Sequence, residues 1–235
     1  MKPSEPRLCA AIFAHPDDEV LGCGGALALH AAGGHRVRVL LLSTGMAARG
    51  GADARAIETL RDQARRAAEV LGVEAVEFAD FPDNAMDGVP LLDVVRRVED
   101  FLSSFPAATV YTHHGGDLNV DHRVTSQAVV TACRPLPGCG DRTLLACEVN
   151  SSTEWSTPPL APFSPSEYLN IGATLETKVK ALECYAGEVR AAPHPRSAEG
   201  LRRLASWRGA QAGLPAAEAF ATLRRIRSRV AEDGA

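Results

Sequence analysis

LCAAIFAHPDDEVLGCGG, Leu8 to Gly25, decides the architecture. An apolar run of strand length, Leu8 to Ala14, breaks into the polar knot His15-Pro16-Asp17-Asp18-Glu19. A helical pattern follows from Val20 to Ala32, with Gly33-Gly34 as its stop. A buried strand that gives way to charged residues directly before a helix reads as the opening of a βα unit. Its charged residues then sit at the carboxyl end of the strand, where ligands bind in open α/β sheets.

Working outward, the alternation continues. Val37 to Leu42 (VRVLLL), Ala75 to Phe78, Thr109 to Thr112 and Thr143 to Val149 read as further strands. Ala54 to Leu71, Leu91 to Leu102 and Val124 to Ala132 read as the intervening helices, with a loop at Phe81 to Gly88. Repeated β-α alternation predicts an α/β fold: a parallel sheet wound with right-handed crossovers and helices on both faces. After Val149 the texture changes. Ser151 to Pro165 is rich in Ser, Thr and Pro and reads as a loop or lid. Helical stretches are expected at Leu175 to Glu188, Ala198 to Gln211 and Ala216 to Ala231, with a break at Pro193-His194-Pro195. One domain is expected, with a core over about 8–150 and a C-terminal lid and helices over about 151–235.

The bulk numbers narrow the class. The chain has 235 residues, is 46% hydrophobic and carries a net charge of -4, so it can bury a core and nothing points to a nucleic-acid partner. The six cysteines form no CxxC pair, which argues against a cysteine zinc site. No apolar segment is long enough to span a bilayer and Met1 to Arg7 has no signal-like apolar stretch, so a cytoplasmic location is expected.

A second polar cluster, His113-His114-Gly115-Gly116-Asp117-Leu118-Asn119-Val120-Asp121-His122, follows the apolar run Ala107 to Tyr111. Two strand ends thus carry His and Asp. His15, Asp18 and His122 supply two nitrogens and one hard oxygen, which leaves coordination positions open, as in catalytic rather than structural zinc sites. Asp17 diverges from its neighbour Asp18 and is better placed as a general base. The plain alternative is that Asp17-Asp18-Glu19 only caps a helix and that His122 is a satisfied histidine. Two such clusters, each after a strand, weigh against it.

The strings Ala14-His15-Pro16-Asp17-Asp18-Glu19 and Asp121-His122-Arg123 resemble the PIG-L/LmbE family of zinc-dependent N-deacetylases. The resemblance covers about Leu8 to Val149, and it implies a Rossmann-like core with the site at the carboxyl edge of the strands. It implies hydrolysis of an N-acetyl group on a GlcNAc-type sugar or glycoconjugate. It implies Zn2+ on His15, Asp18 and His122, with Asp17 as base. Other divalent transition metals suit the same donors. Relatives are often multimeric, which implies a homo-oligomer.

The chain departs from the family pattern where many relatives carry a second histidine that stabilises the oxyanion. Here that position is Asn119, which donates without becoming cationic. His194, in Pro193-His194-Pro195-Arg196-Ser197, is the leading substitute. The helix around Arg61-Asp62-Gln63 also lacks the Arg/Glu pattern of many relatives. Four strings, Phe81-Pro82-Asp83-Asn84, Gly116 to Asn119, Ser151 to Trp155 and Pro193 to Ser197, resemble a bacterial subgroup found in polysaccharide or antibiotic assembly.

Around the metal, Asp83, Arg49 and Arg196 are candidate sugar-binding residues, each also readable as a turn or solvated residue. Trp155 and Tyr168 either stack on a sugar or, more in keeping with their type, fill the core. Asp121 either orients His122 or another site histidine, or caps the next helix. Gly45 to Gly51 matches neither the dinucleotide fingerprint nor the P-loop spacing, and Gly22, Gly24 and Gly25 fall inside the first helix, so NAD binding is rejected. Two alternatives to the deacetylase stay open: a homologue that binds a sugar or nucleotide sugar with little turnover, and a metal-dependent amidase on another sugar-linked metabolite.

Overall fold

The computed structural model describes residues 7–45, 54–137 and 139–227. Arg49 lies outside the described residues. The strands are β1 (Leu8–Phe13), β2 (Arg36–Ser43), β3 (Ala75–Phe81), β4 (Thr109–His113), β5 (Arg142–Cys147), β6 (Glu167–Asn170) and β7 (Ala217–Ile226). The helices are α1 (Asp18–Ala32), α2 (Ala54–Leu71), α3 (Leu91–Ser104), α4 (Val120–Ala132), α5 (Leu175–Glu183) and α6 (Ala198–Ala212).

One seven-stranded sheet runs in the order β3-β2-β1-β4-β5-β7-β6. β1 to β5 are parallel, as the alternation predicts. Strand order reverses between β1 and β4, and the crevice at that switch point is where α/β sheets bind ligands. The strand pleat sends alternate residues to opposite faces. Cys9, Ala11 and Phe13 pack with α1, α2, α5 and α6, while Ala10 and Ile12 pack with α3 and α4. The central strands are apolar on both faces because both faces are covered.

The last segment corrects the sequence reading. Ala216 to Ala231 was expected to be helical, but Ala217–Ile226 is strand β7, antiparallel to both β5 and β6. Its Ala, Glu, Leu and Arg content favours a helix locally. Pairing overrides that preference, because β7 satisfies the open edge of β5 and buries Phe220 in the α1-side core. The C-terminal third is therefore two helices plus an antiparallel strand pair, not helices alone.

α1 is broken in its second turn, where Cys23 has φ -148 and ψ 19. Two buried side chains repair the break. Lys178 Nζ donates to the Leu21 carbonyl at 2.9 Å, and Glu218 accepts from the Gly25 and Ala26 amides at 2.9 and 2.7 Å. The two pair with each other at 2.7 Å. Gly22 lets this segment approach the sheet: a Cβ there would stand 3.0 Å from the Phe13 ring and 3.1 Å from Cys147. The helix glycines thus serve close packing. No helix among the described residues is long and apolar enough to cross a membrane.

Removing one member of a buried pair strands the other charge, so Glu218→Ala is expected to cost about 3–5 kcal/mol in urea unfolding. The double variant Lys178→Met/Glu218→Gln, which keeps an acceptor for the helix amides, should lose less than Glu218→Ala alone. Equal losses would show that the pair does not support the break.

Candidate active site

The turn after β1 builds the first half of the site. Asp17 is the residue before α1 and has φ 110, a conformation rare outside glycine, while its carbonyl accepts from Val20 and Leu21 at 3.1 and 2.9 Å. This wraps the chain so that the His15 amide donates to Asp18 Oδ2 at 2.8 Å. The second half comes from α4. Asn119 is its N-cap, and its Oδ1 accepts from the Asp121 amide at 2.8 Å. That cap sets His122 in the first turn, facing β1.

Three atoms converge. His15 Nδ1 lies 3.1 Å from Asp18 Oδ2 and 3.2 Å from His122 Nε2, and His122 Nε2 lies 3.2 Å from Asp18 Oδ2. Donors on a tetrahedral zinc at ordinary bond lengths stand about 3.3–3.4 Å apart. The triangle matches that spacing, and all three residues line one cavity of about 250 Å³. The donor set therefore fits a divalent transition metal with open positions on the cavity side.

The outer nitrogens of both histidines are held by carboxylates, the arrangement that orients ligand imidazoles. His122 Nδ1 meets Asp117 Oδ1 at 3.0 Å. His15 Nε2 meets Asp121 Oδ2 at 3.0 Å and Asp83 Oδ1 at 3.3 Å. His15, Asp83 and Asp121 form a second group with ligand-like spacing. Asp121 is fully buried, accepts from the Asn84 and Met86 amides at 2.6 and 2.9 Å, and does not line the cavity. Its carboxylate thus contacts His15 rather than its neighbour His122. Behind His122 lies His113, stacked at a centroid distance of 3.8 Å. His113 Nε2 accepts from the Ala14 amide at 2.9 Å, and burial with His122 beside it lowers its pKa to about 4, so it stays neutral.

Charge is unevenly balanced. Burial opposes protonation of His122, but Asp18 and Asp117 outweigh it and raise the pKa to about 9. Burial opposes His15 likewise, and Asp121, Asp18 and Asp83 raise it well above the ordinary value. Asp18 is held well below its ordinary value, chiefly by His122, despite burial. Asp17 goes the other way: burial and Asp18 raise it well above the carboxylate range, and Arg196 opposes them.

Other expected residues divide. Asn119, Asp83 and Arg196 line the cavity. Arg196 Nη1 contacts Asp17 Oδ2 at 3.2 Å and Glu188 Oε2 at 3.1 Å, so its charge faces carboxylates of the site. His194 does not line the cavity; its Nδ1 accepts from the Arg196 amide at 3.1 Å, and its ring meets Trp155 edge-on. That place corrects its expected role beside the oxyanion. Trp155 is 48% exposed rather than core, and Tyr168 is half-buried on β6. Within the expected lid, Ser151 and Ser152 line the cavity, and the Ser152 and Thr153 hydroxyls donate to Asp117. Asp117 and Glu188 had no role in the sequence reading. Asp117 had a visible signal, a carboxylate inside the second cluster; Glu188 had none.

A sequence model of the PIG-L family, described as GlcNAc-PI de-N-acetylase, matches residues 10–133, more than half of the chain. The chain belongs to the PIG-L family. It is 33% identical over 132 residues, 54% of this chain and 68% of the relative, to the uncharacterized deacetylase YaiS of Escherichia coli. It is also 29% identical over 192 residues, 75% of this chain and 72% of the relative, to the 4-oxalmesaconate hydratase of Pseudomonas putida. Its fold matches the N,N'-diacetylchitobiose deacetylase of Pyrococcus horikoshii with a TM-score of 0.74 at 18% identity, covering 93% of this chain and 84% of that one. The PIG-L match includes all three donors and stops short of Glu188 and Arg196.

Because metal displaces protons from His15 and His122, zinc binding to this PIG-L protein should release more than one proton at pH 7, read by calorimetry in buffers of different ionisation heat. Both histidines have raised values, so apparent affinity should climb at least about tenfold per pH unit from 7 and less steeply once the pH passes the His122 value of about 9. A pH-independent affinity would rule out these histidines as the donors.

Proposed function

We propose that this PIG-L protein is a metal-dependent N-deacetylase that hydrolyses the N-acetyl group of a GlcNAc-type sugar or glycoconjugate, releasing acetate and a free amine. The observation that carries the reading is Asp17, a buried carboxylate on the wall of the same cavity as the metal-ligand triangle, with a raised pKa.

A divalent ion, Zn2+ by family, supplies Lewis-acid polarisation of the amide carbonyl and acidification of water when bound. The chain supplies the rest. Asp17 takes a proton from the water that attacks the carbonyl carbon. Its raised pKa keeps that proton available, and as the C–N bond breaks Asp17 returns it to the leaving nitrogen. Water thereby divides between acetate and amine. Asn119 is the group that serves the oxyanion. Its Oδ1 is committed to the α4 cap and one Nδ2 hydrogen to Asn84 Oδ1 at 3.1 Å, so the amide cannot flip and its second hydrogen is left for a ligand. Asp83 is the candidate for accepting sugar hydroxyls.

The hydratase relative raises a second reading, addition of water across a carbon–carbon double bond. Lining charge separates the two. The described wall carries Asp17, Asp18, Asp83 and Glu188 against Arg196 as its one guanidinium, which already faces two of those carboxylates. Away from the metal triangle, whose histidines or ion carry positive charge, a polycarboxylate, as the name oxalmesaconate denotes, finds Asp83, Glu188 and a guanidinium already engaged by carboxylates. A neutral polyol donates hydroxyls to such a wall, and a product ammonium is attracted to it.

Acetate release from free GlcNAc, UDP-GlcNAc, GlcNAc glycosides and other acylated sugars tests the proposal, with zinc-loaded and chelated protein side by side. Asp17→Asn should keep its metal and lose at least about 100-fold in kcat. Turnover of an unsaturated polycarboxylate without acetate release from any sugar would replace the deacetylase with the hydratase.

A further inference from the structure

Asp17 is held from the far end of the chain. Its strained backbone is fixed by Glu19, whose Oε2 accepts the Asp17 amide at 3.1 Å and whose Oε1 accepts the Tyr185 hydroxyl at 2.5 Å. A non-glycine residue at φ 110 persists only where its surroundings over-determine it. The carboxylate is fixed separately. Arg196 Nη1 reaches Asp17 Oδ2, and the same nitrogen reaches Glu188 Oε2. Both residues are tied down through their backbones. The Glu188 amide donates to the Tyr185 carbonyl at 2.8 Å, and the Arg196 carbonyl accepts from the Arg190 amide at 3.1 Å. The Arg196 amide is the one that His194 accepts.

We propose that Arg196 is a positioning residue for Asp17 and that Glu188 sets how Arg196 grips it. The inference rests on the reading of Asp17 as the base. An unrestrained guanidinium prefers a bidentate fork on a carboxylate, occupying both oxygens. Glu188 draws the guanidinium aside, so Arg196 touches Asp17 through one nitrogen and one oxygen. Asp17 Oδ1 has no partner among the described residues, and Asp17 lines the cavity. One oxygen is thus fixed and the other is left to take the proton. Arg196 never touches the reacting atoms in this role. It sets the direction of the carboxylate, and Glu188 keeps the second oxygen from being covered. Arg196 Nε is buried and has no hydrogen-bond partner among the described residues.

The test uses zinc-loaded full-length protein and the acetylated sugar that wild type hydrolyses best. Arg196→Ala should lower kcat by about 100-fold with KM within about threefold, because a misplaced base costs turnover rather than binding. Glu188→Gln, which keeps size and packing, should lower kcat by about tenfold. Zinc affinity, from chelator competition, should stay within about threefold in both variants. Added methylguanidinium should restore part of the turnover of Arg196→Ala and none of that of Asp17→Asn. A kcat within threefold of wild type in Arg196→Ala, or a loss that falls on KM, overturns the proposal. A second arm is independent of activity: thermal unfolding of metal-free Asp17→Asn, Arg196→Ala and their double variant. Non-additive shifts in Tm show the contact even if wild type releases no acetate, an outcome that would sink the deacetylase reading alone. Additive shifts sink the contact itself.

Discussion

Two imidazole nitrogens and a carboxylate oxygen stand within about 3.2 Å of one another in a largely buried place. Electron-rich atoms that close repel unless a cation lies among them. Without metal, Asp18 together with the outer carboxylates Asp121, Asp83 and Asp117 outweighs burial and raises the proton affinity of His15 and His122. The surroundings are arranged around that demand. Asp117, Asp121 and Asp83 grip the outer nitrogens, the Asn119 cap fixes the start of α4, and the neutral His113 backs His122. These groups keep the triangle from relaxing, so an arriving ion meets donors already at coordination distance.

The same cluster separates the behaviour of two adjacent carboxylates. Asp18 faces the histidines and is held ionised. Asp17, turned away by its left-handed backbone, meets burial and like charge and holds a proton more readily. Neighbouring residues of one type thereby hold opposite protonation tendencies through direction alone, which suits them to the ligand and acid-base roles proposed for them.

Much of this was legible in the sequence, for physical reasons. The β-α alternation and the paired polar clusters at strand ends give the parallel sheet and bring His15, Asp18 and His122 to its switch point, because the pattern depends on local periodicity. What failed depends on distant contacts. β7 looks helical residue by residue and is a strand because β5 needs an edge partner. His194 has the chemistry of an oxyanion donor, but it stands outside the wall of the cavity, against Trp155. Asp121 was readable either as a carboxylate beside a site histidine or as a helix cap, and only the fold places it against His15. Glu188 stands in no motif, and only the tertiary fold shows that it shares a guanidinium with Asp17.

The split between donors and base support runs along the chain. His15, Asp18 and His122 all precede Tyr185, Glu188 and Arg196. The donor triangle is thus drawn from residues 15–122, while the groups that seat Asp17 come from a segment more than sixty residues further on. The last strand supplies Glu218 to the broken α1 and ties the two segments together. A change in the late segment can therefore disturb Asp17 while leaving the donor triangle in place.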